Sequence, residues 1–422
     1  MRAKIRASSI VLLLLMAGRA GAQFQYTPPG GPEEKPASRR ETTESEIAQT
    51  RYHLGAVRLA PWAVLRDIAY VRSLFSSGVQ APPNDFTATV GLGFHAYLHN
   101  TPKVIWSLGV LPEYVWWQKQ AERRRVNGHY KLGLQAYFNR LTVEATAGRE
   151  QQLQIVTPEV PVLASARADG AEVLVEVELA HTLFAFTSAA ETQLTNLVES
   201  EVDPLTQSLA LLDRKERLLR GGLRWQPRKD GWVALGVEGT RADFEHTALP
   251  RSNSGTAPLL QVHFRNRYTG FDGEVADRSL DARRGSDFVP FHQVTGNAGI
   301  FLGTKRLGGS IYSSRNLSYA LADGYAYLQD DRLGTSLFMD FGFHTSGRVF
   351  AETGRNEYTA FTPDIPHRVD DVSSVGGQLN FELGGRLVAG IQILRSRFNS
   401  NLPGDDRTFT SAGLTFKLVG TP

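Results

Sequence analysis

The 422-residue chain has no cysteine, so no disulfide framework, zinc-thiolate site or thiol nucleophile can be built from it. It has no stretch of 18 or more apolar residues, which excludes a transmembrane helix. HExxH, a Gly-rich phosphate loop and G-x-S-x-G are all missing, and with them the commonest metalloprotease, nucleotide-binding and hydrolase signatures. Charge of one sign is missing too. With 46 Lys and Arg against 43 Asp and Glu the net charge is +3, too small to point to nucleic acid. The ten histidines are scattered without metal-ligand spacing, and no calcium-loop spacing occurs. Asp243 and His246 fall at the outer end of a strand, with Ser252 nearby, but nothing in the pattern orients a base or an oxyanion hole. No catalytic residue, cofactor or metal ligand is therefore assigned.

What is present is glycine (40 residues), aromatics (22 Phe, 13 Tyr, 6 Trp) and alternation. Asp213 to His246 shows the repeating unit: strand, tight turn, strand. Leu219, Gly221, Leu223 and Trp225 share one face, and Arg220, Gly222, Arg224 and Gln226 share the other. Pro227 to Gly231 supplies the turn, since Pro presets φ and Asp-Gly tolerates positive φ. Val233, Leu235 and Val237 then oppose Ala234, Gly236, Glu238 and Thr240. Period-2 alternation over about ten residues is the mark of a transmembrane β-strand when it recurs along a chain.

It recurs throughout. The pattern predicts an all-β fold: one transmembrane antiparallel β-barrel of about 18 strands, or 16 if the weakest strands, around Thr182 and Phe271, are loop. Short turns alternate with longer polar loops such as Ser76–Asn84, Gln151–Gly170 and Asn196–Leu212. That places the turns in the periplasm and the loops outside. Tyr97, Phe138, Trp225, Trp232, Tyr268, Phe271, Phe301, Phe341 and Phe343 beside short turns predict a periplasmic aromatic girdle; Trp116 and Trp117 suit the outer one.

The organisation expected is a signal peptide (1–22), a disordered periplasmic arm (23–50) and the barrel (51–422). Arg2, Lys4 and Arg6 precede a short apolar core, and Ala20-Gly-Ala22 fits a cleavage site. Residues 23–50 are rich in Pro, Glu, Arg, Ser and Thr. The location expected is the outer membrane of a Gram-negative-type bacterium. Partners are its lipids and the barrel-assembly machinery, with no nucleic acid.

The polar face becomes the lumen. Its charged candidates are Lys131, Glu176, Glu178, Arg220, Arg224, Glu238, Arg265 and Arg267. The arginines form a basic wall along which an anion could pass, or cross-strand ion pairs with the glutamates, the commoner arrangement.

Three stretches resemble the outer-membrane β-barrels of the beta-barrel porin 2-like group, found with exopolysaccharide genes. They are LGAVRLAPWAVLRDIAYVRSLF, ERLLRGGLRWQPRKDGWVALGVEGTRADFEH and HFRNRYTGFDGEVADR. The resemblance covers most of the chain after Thr50 and implies no catalytic residues. It implies a channel for a polar solute such as a polysaccharide, a possible partner. Two departures stand out: Tyr70-Val-Arg-Ser-Leu occupies the end of the first strand, and Phe416 is followed by Lys-Leu-Val-Gly-Thr-Pro422 rather than closing the chain. The alternative reading is a non-conducting structural or surface-interaction barrel with a charge-plugged lumen.

Overall fold

The computed structural model describes residues 29–30, 39–50, 52–75, 85–101, 103–157, 159–197, 208–246, 250–304, 306–383 and 387–419. A helix, α1 (Arg39–Gln49), and a three-residue strand, β1 (Tyr52–Leu54), come first. Long antiparallel strands follow: β2 (Val57–Phe75), β3 (Asp85–Thr101), β4 (Val104–Trp117), β5 (Arg125–Tyr137), β6 (Leu141–Thr157) and β7 (Val160–Ala180). Next come β8 (Leu183–Asn196), β9 (Arg214–Arg228), β10 (Gly231–Phe244), β11 (Asn253–Arg265), β12 (Thr269–Ala282) and β13 (Phe291–Gly303). The last are β14 (Leu307–Tyr319), β15 (Tyr325–Gly342), β16 (Thr345–Ala360), β17 (Val369–Leu383), β18 (Leu387–Ser400) and β19 (Arg407–Val419). Each pairs with the next, and β19 returns to β2, from Arg407↔Phe75 to Val419↔Trp62. Of the nineteen strands in the sheet, β1 is a short addition on Val57–Leu59, and the other 18 form the closed ring. Sixteen strands are excluded: β8 and β12 pair on both edges.

Alternation decides which face meets lipid. Leu219, Leu223 and Trp225 of β9 and Leu235 and Val237 of β10 are exposed with nothing covering them. A ring of such residues is stable only against hydrocarbon, and closure leaves no strand edge unsatisfied there. Tyr268, Phe138, Phe341 and Phe343 stand exposed by the periplasmic turns. The β15–β16 turn is tight enough that Phe343 and His344 both take positive φ, +48° and +62°. The girdle is thinner than expected, because Tyr97 is buried against α1 and Trp232 stacks on His263 inside. Trp117 also faces inward and is buried, so only Trp116 serves at the outer end, against Phe86.

Pro61 lies inside a continuous β2, paired with Phe94. Two further expectations change. The long loop expected at Gln151–Gly170 is instead the ends of β6 and β7, paired as far as Thr157↔Val160. Part of the arm expected to be disordered is ordered here, as α1 and as Gly30 packed on Phe350. The signal segment, the Ser76–Asn84 loop and the Gly384–Arg386 turn lie outside the described residues.

Candidate functional site: the barrel lumen

The inner face is built by the alternate residues of each strand, so its chemistry follows from strand register. On the β7–β12 side it is a lattice of ion pairs. Arg220 on β9 meets Glu238 on β10 at 2.7 Å and Glu274 on β12 at 2.8 Å. Glu238 also takes Arg278 at 3.0 Å, and Gln261 donates to Glu274 at 2.8 Å. Arg224 reaches Glu176 on β7 at 2.6 Å and lies over the Phe184 ring. On the opposite side Arg332 pairs with Asp330 at 2.5 Å, and Arg368 and Arg407 clasp Asp370 at 3.1 and 2.6 Å. Near β2, Arg66 and Glu113 meet at 2.6 Å, with His129 alongside.

The charged candidates from the sequence therefore fall as follows. Arg220, Arg224, Glu176 and Glu238 are inside and joined to one another or to Glu274. Lys131 and Arg265 are on inward positions of β5 and β11, half-buried. Glu178 is inward near the periplasmic end of β7, where its backbone N–H donates to the Arg140 carbonyl. Arg267 is not on the wall. It lies beyond β11 in the exposed turn, with its guanidinium over the Tyr268 ring at 5.2 Å. The continuous basic wall is thus absent where Arg220 and Arg224 stand, because each is neutralised by a carboxylate. Asp243 and Ser252 have structural work: Asp243 pairs with Arg241 and Arg283, and the Ser252 hydroxyl accepts from the Phe244 N–H.

Two insertions occupy the lumen. At the periplasmic mouth α1 lies on the β3–β5 wall. Tyr97 donates to Glu46 at 2.8 Å, Gln135 donates to Thr43 at 3.1 Å, and Arg40 lies 4.8 Å over the Tyr137 ring. Ile47 packs on Tyr97 and Ile105. Burial pushes the Glu46 carboxyl above its ordinary value, against the opposing pull of Tyr97, Lys131 and Lys417. Farther in, Gly30 donates to Glu352 at 3.4 Å, and Arg348 donates to its carbonyl. Since Glu352 is mid-strand in β16, the arm enters the barrel.

At the outer mouth the β6–β7 hairpin leans across. Its tip residue Glu159 accepts from the backbone N–H groups of Leu321 and, at 3.0 Å, Ala322, both in the β14–β15 turn. In the ring β7 and β15 are eight strands apart, so this contact crosses the opening. Gly324, at φ +85° and tight against Ile365, lets that turn fold back. Burial pushes the Glu159 carboxyl up, although both N–H groups and nearby Arg368 and Arg407 pull the other way. Ala164, Leu209, Leu212, Leu280, Phe288, Phe291, Tyr319 and Tyr327 form one buried apolar cluster around the crossing.

Water still reaches part of the interior. Gln293 and Asn297 on β13, Gln378 on β17 and Gln392 on β18 are exposed although they occupy inward positions. None of the four is among the charged candidates, and the alternation of β13, β17 and β18 is the sequence signal that places them inside.

Eighteen strands, a bare apolar outside and a polar inside leave one architecture. The chain has the fold of an outer-membrane porin. It is similar to the outer-membrane protein OpdK of Pseudomonas aeruginosa, with a TM-score of 0.54 at 10% identity, over 86% of this chain and 98% of that one. It is similar also to OccK9 (OpdG) of the same organism, TM-score 0.53 at 10% identity. A BenF-like porin from Pseudomonas fluorescens Pf-5 gives a TM-score of 0.53 at 9% identity; both comparisons again cover 86% of this chain and 98% of the other. No protein-family model matches the chain, and no curated protein matches it. The porin fold and its lipid-facing surface place the protein in the outer membrane of a Gram-negative bacterium.

Proposed function

We propose that the protein is a passive outer-membrane channel for a polar solute, not an enzyme. The observation that carries this is the closed 18-strand ring whose inner face still has side chains in contact with water. Barrels of 16–18 strands are wide enough for an aqueous passage. Similar folds are porins, and one of them, OpdK, has a crystal structure with vanillate. A signal peptide at 1–22, lipids around the barrel and delivery by the assembly machinery belong to the same reading. Export of a polysaccharide is its finer form, and it needs both insertions out of the way.

A second reading is favoured by those insertions: a barrel that does not conduct and works through its outer surface. Single-channel recording in planar bilayers separates the two. The channel reading expects steady ion current from the full chain. A correctly folded barrel that stays silent, with and without its arm, sinks it.

A further inference from the structure

The exposed inward side chains deepest in the strands have one chemistry. Along β2 to β19, with at least three strand residues on either side, the described inward positions with exposed side chains are Asn297, Gln378 and Gln392; nearer the strand ends Gln293 is exposed too, as are His99 and Asp340. The three deep ones are all carboxamides, and so is Gln293. Gln378 and Gln392 are directly opposite each other in the β17–β18 register, and Gln378 donates to Asn380 at 3.0 Å. Asn380 itself pairs in register with Gly390, which adjoins Thr415 on β19. Gln293 and Asn297 sit four residues apart on one face of β13, with Thr295 between them on that face.

On the β7–β12 wall and around Asp370 the ionised groups are paired with one another. Glu238 serves two arginines, Asp370 serves two more, and Glu176 and Glu274 hold Arg224 and Arg220. Capturing an anion on Arg220 or Arg224 would first require breaking such a pair, which leaves a carboxylate uncompensated. A carboxamide offers two N–H donors and a carbonyl acceptor without a charge to desolvate. A hydroxyl both donates and accepts, so a row of carboxamides matches a row of hydroxyls on either polarity.

We infer that the β13 and β17–β18 amides form the solute-binding stretch of the passage, and that it takes an uncharged, hydroxyl-rich solute such as a neutral saccharide. This rests on the channel reading, which it deepens.

The test uses the full chain, refolded in detergent and in bilayers. A neutral maltooligosaccharide and an oligouronate of the same length are the probes, in calorimetric titration and as blockers of the ion current. The neutral sugar is expected to bind and interrupt the current, and the oligouronate to do so more weakly. Replacing Gln378 and Gln392 by Leu removes their hydrogen bonds and should weaken neutral-sugar binding by about fivefold per residue. The near-isosteric pair Gln378→Glu and Gln392→Glu guards against a folding defect: it keeps shape and should further disfavour the oligouronate. Ion current that persists while the oligouronate binds as well as the neutral sugar, or while the Leu variants bind both unchanged, overturns the inference and spares the channel. Absence of ion current from the arm-deleted barrel as well removes the channel reading and this inference with it.

Discussion

The two mouths are obstructed by different physics. The outer crossing rests on a dozen buried side chains, including Phe288, Phe291, Leu317, Tyr319 and Tyr327, gathered from strands on both sides of the ring. At about 1.5–3 kcal/mol for each large apolar side chain buried, such a cluster holds firmly. The periplasmic obstruction is α1, whose sequence RRETTESEIAQ offers one large apolar residue, Ile47. Its other ties among the described residues are two side-chain hydrogen bonds, worth about 1 kcal/mol each, the Arg40–Tyr137 contact and the pull of Lys131 and Lys417 on Glu46. An 11-residue helix is marginal on its own in water, so undocking and unravelling go together. The difference teaches which insertion can move: the arm is the removable one, and the outer hairpin is part of the wall.

The sharpest way to break this contrast is to remove the arm. Deleting residues 23–50 should give the largest effect, a several-fold rise in single-channel conductance with barrel stability nearly unchanged. Equal conductance with and without the arm would falsify the idea that it obstructs the passage. Phe288→Ala comes next. Phe288 is 2% exposed and wedged between Tyr319 and Tyr327, and its loss should cost about 3 kcal/mol in a denaturant titration of the detergent-folded barrel. The same titration should barely register Ile47→Ala, because α1 contributes little to the ring.

How much of this was legible in the sequence follows from what strand alternation encodes. It encodes which face a residue takes, so the ring, its strand count and the inward placement of Arg220, Arg224, Glu176 and Glu238 could be read from Leu219, Leu223, Val233 and their like. It does not encode register between strands distant in sequence. The partnership of Arg220 with Glu274, 54 residues on, depends on how β10 and β11 intervene. Alternation also cannot separate a strand that ends at the membrane from one that continues past it. That is why polar residues such as Gln151, Gln152 and Gln154 read as loop when they are the ends of β6. Trp117 misled for a related reason: next to Trp116 it looked like half of a girdle, yet adjacent strand residues point to opposite faces. The arm misled most. Its composition is that of a chain unable to bury a core, and it is ordered because the barrel supplies the core from Tyr97, Ile105 and Gln135.

Smaller effects sharpen the contrast at single carboxylates. Glu159→Ala leaves the Leu321 and Ala322 N–H groups without their acceptor and should loosen the hairpin by about 1–3 kcal/mol, seen as flicker in the open current. Its pH dependence has a definite sign. Burial holds the docked carboxyl above its ordinary value, so the docked hairpin binds a proton more tightly than the free one. Docking is then strongest below the ordinary carboxyl pKa and weakens as pH rises through the raised one. Flicker should increase over that window, and Glu159→Gln should flatten the dependence.

The smallest effect belongs to Glu46→Gln. The amide still accepts from Tyr97, but the charge that faces Lys131 and Lys417 is gone. Two influences then oppose each other: an uncharged side chain costs less to bury, and two lysines lose an anion that attracts them. Burial is the larger influence on this carboxyl, so the variant arm should stay docked at neutral pH at least as well as the native one. Spin-label distances from α1 to β4 would report this. A variant arm that leaves the lumen would show instead that the two lysines, and not Ile47 and the hydrogen bonds, hold the periplasmic obstruction in place.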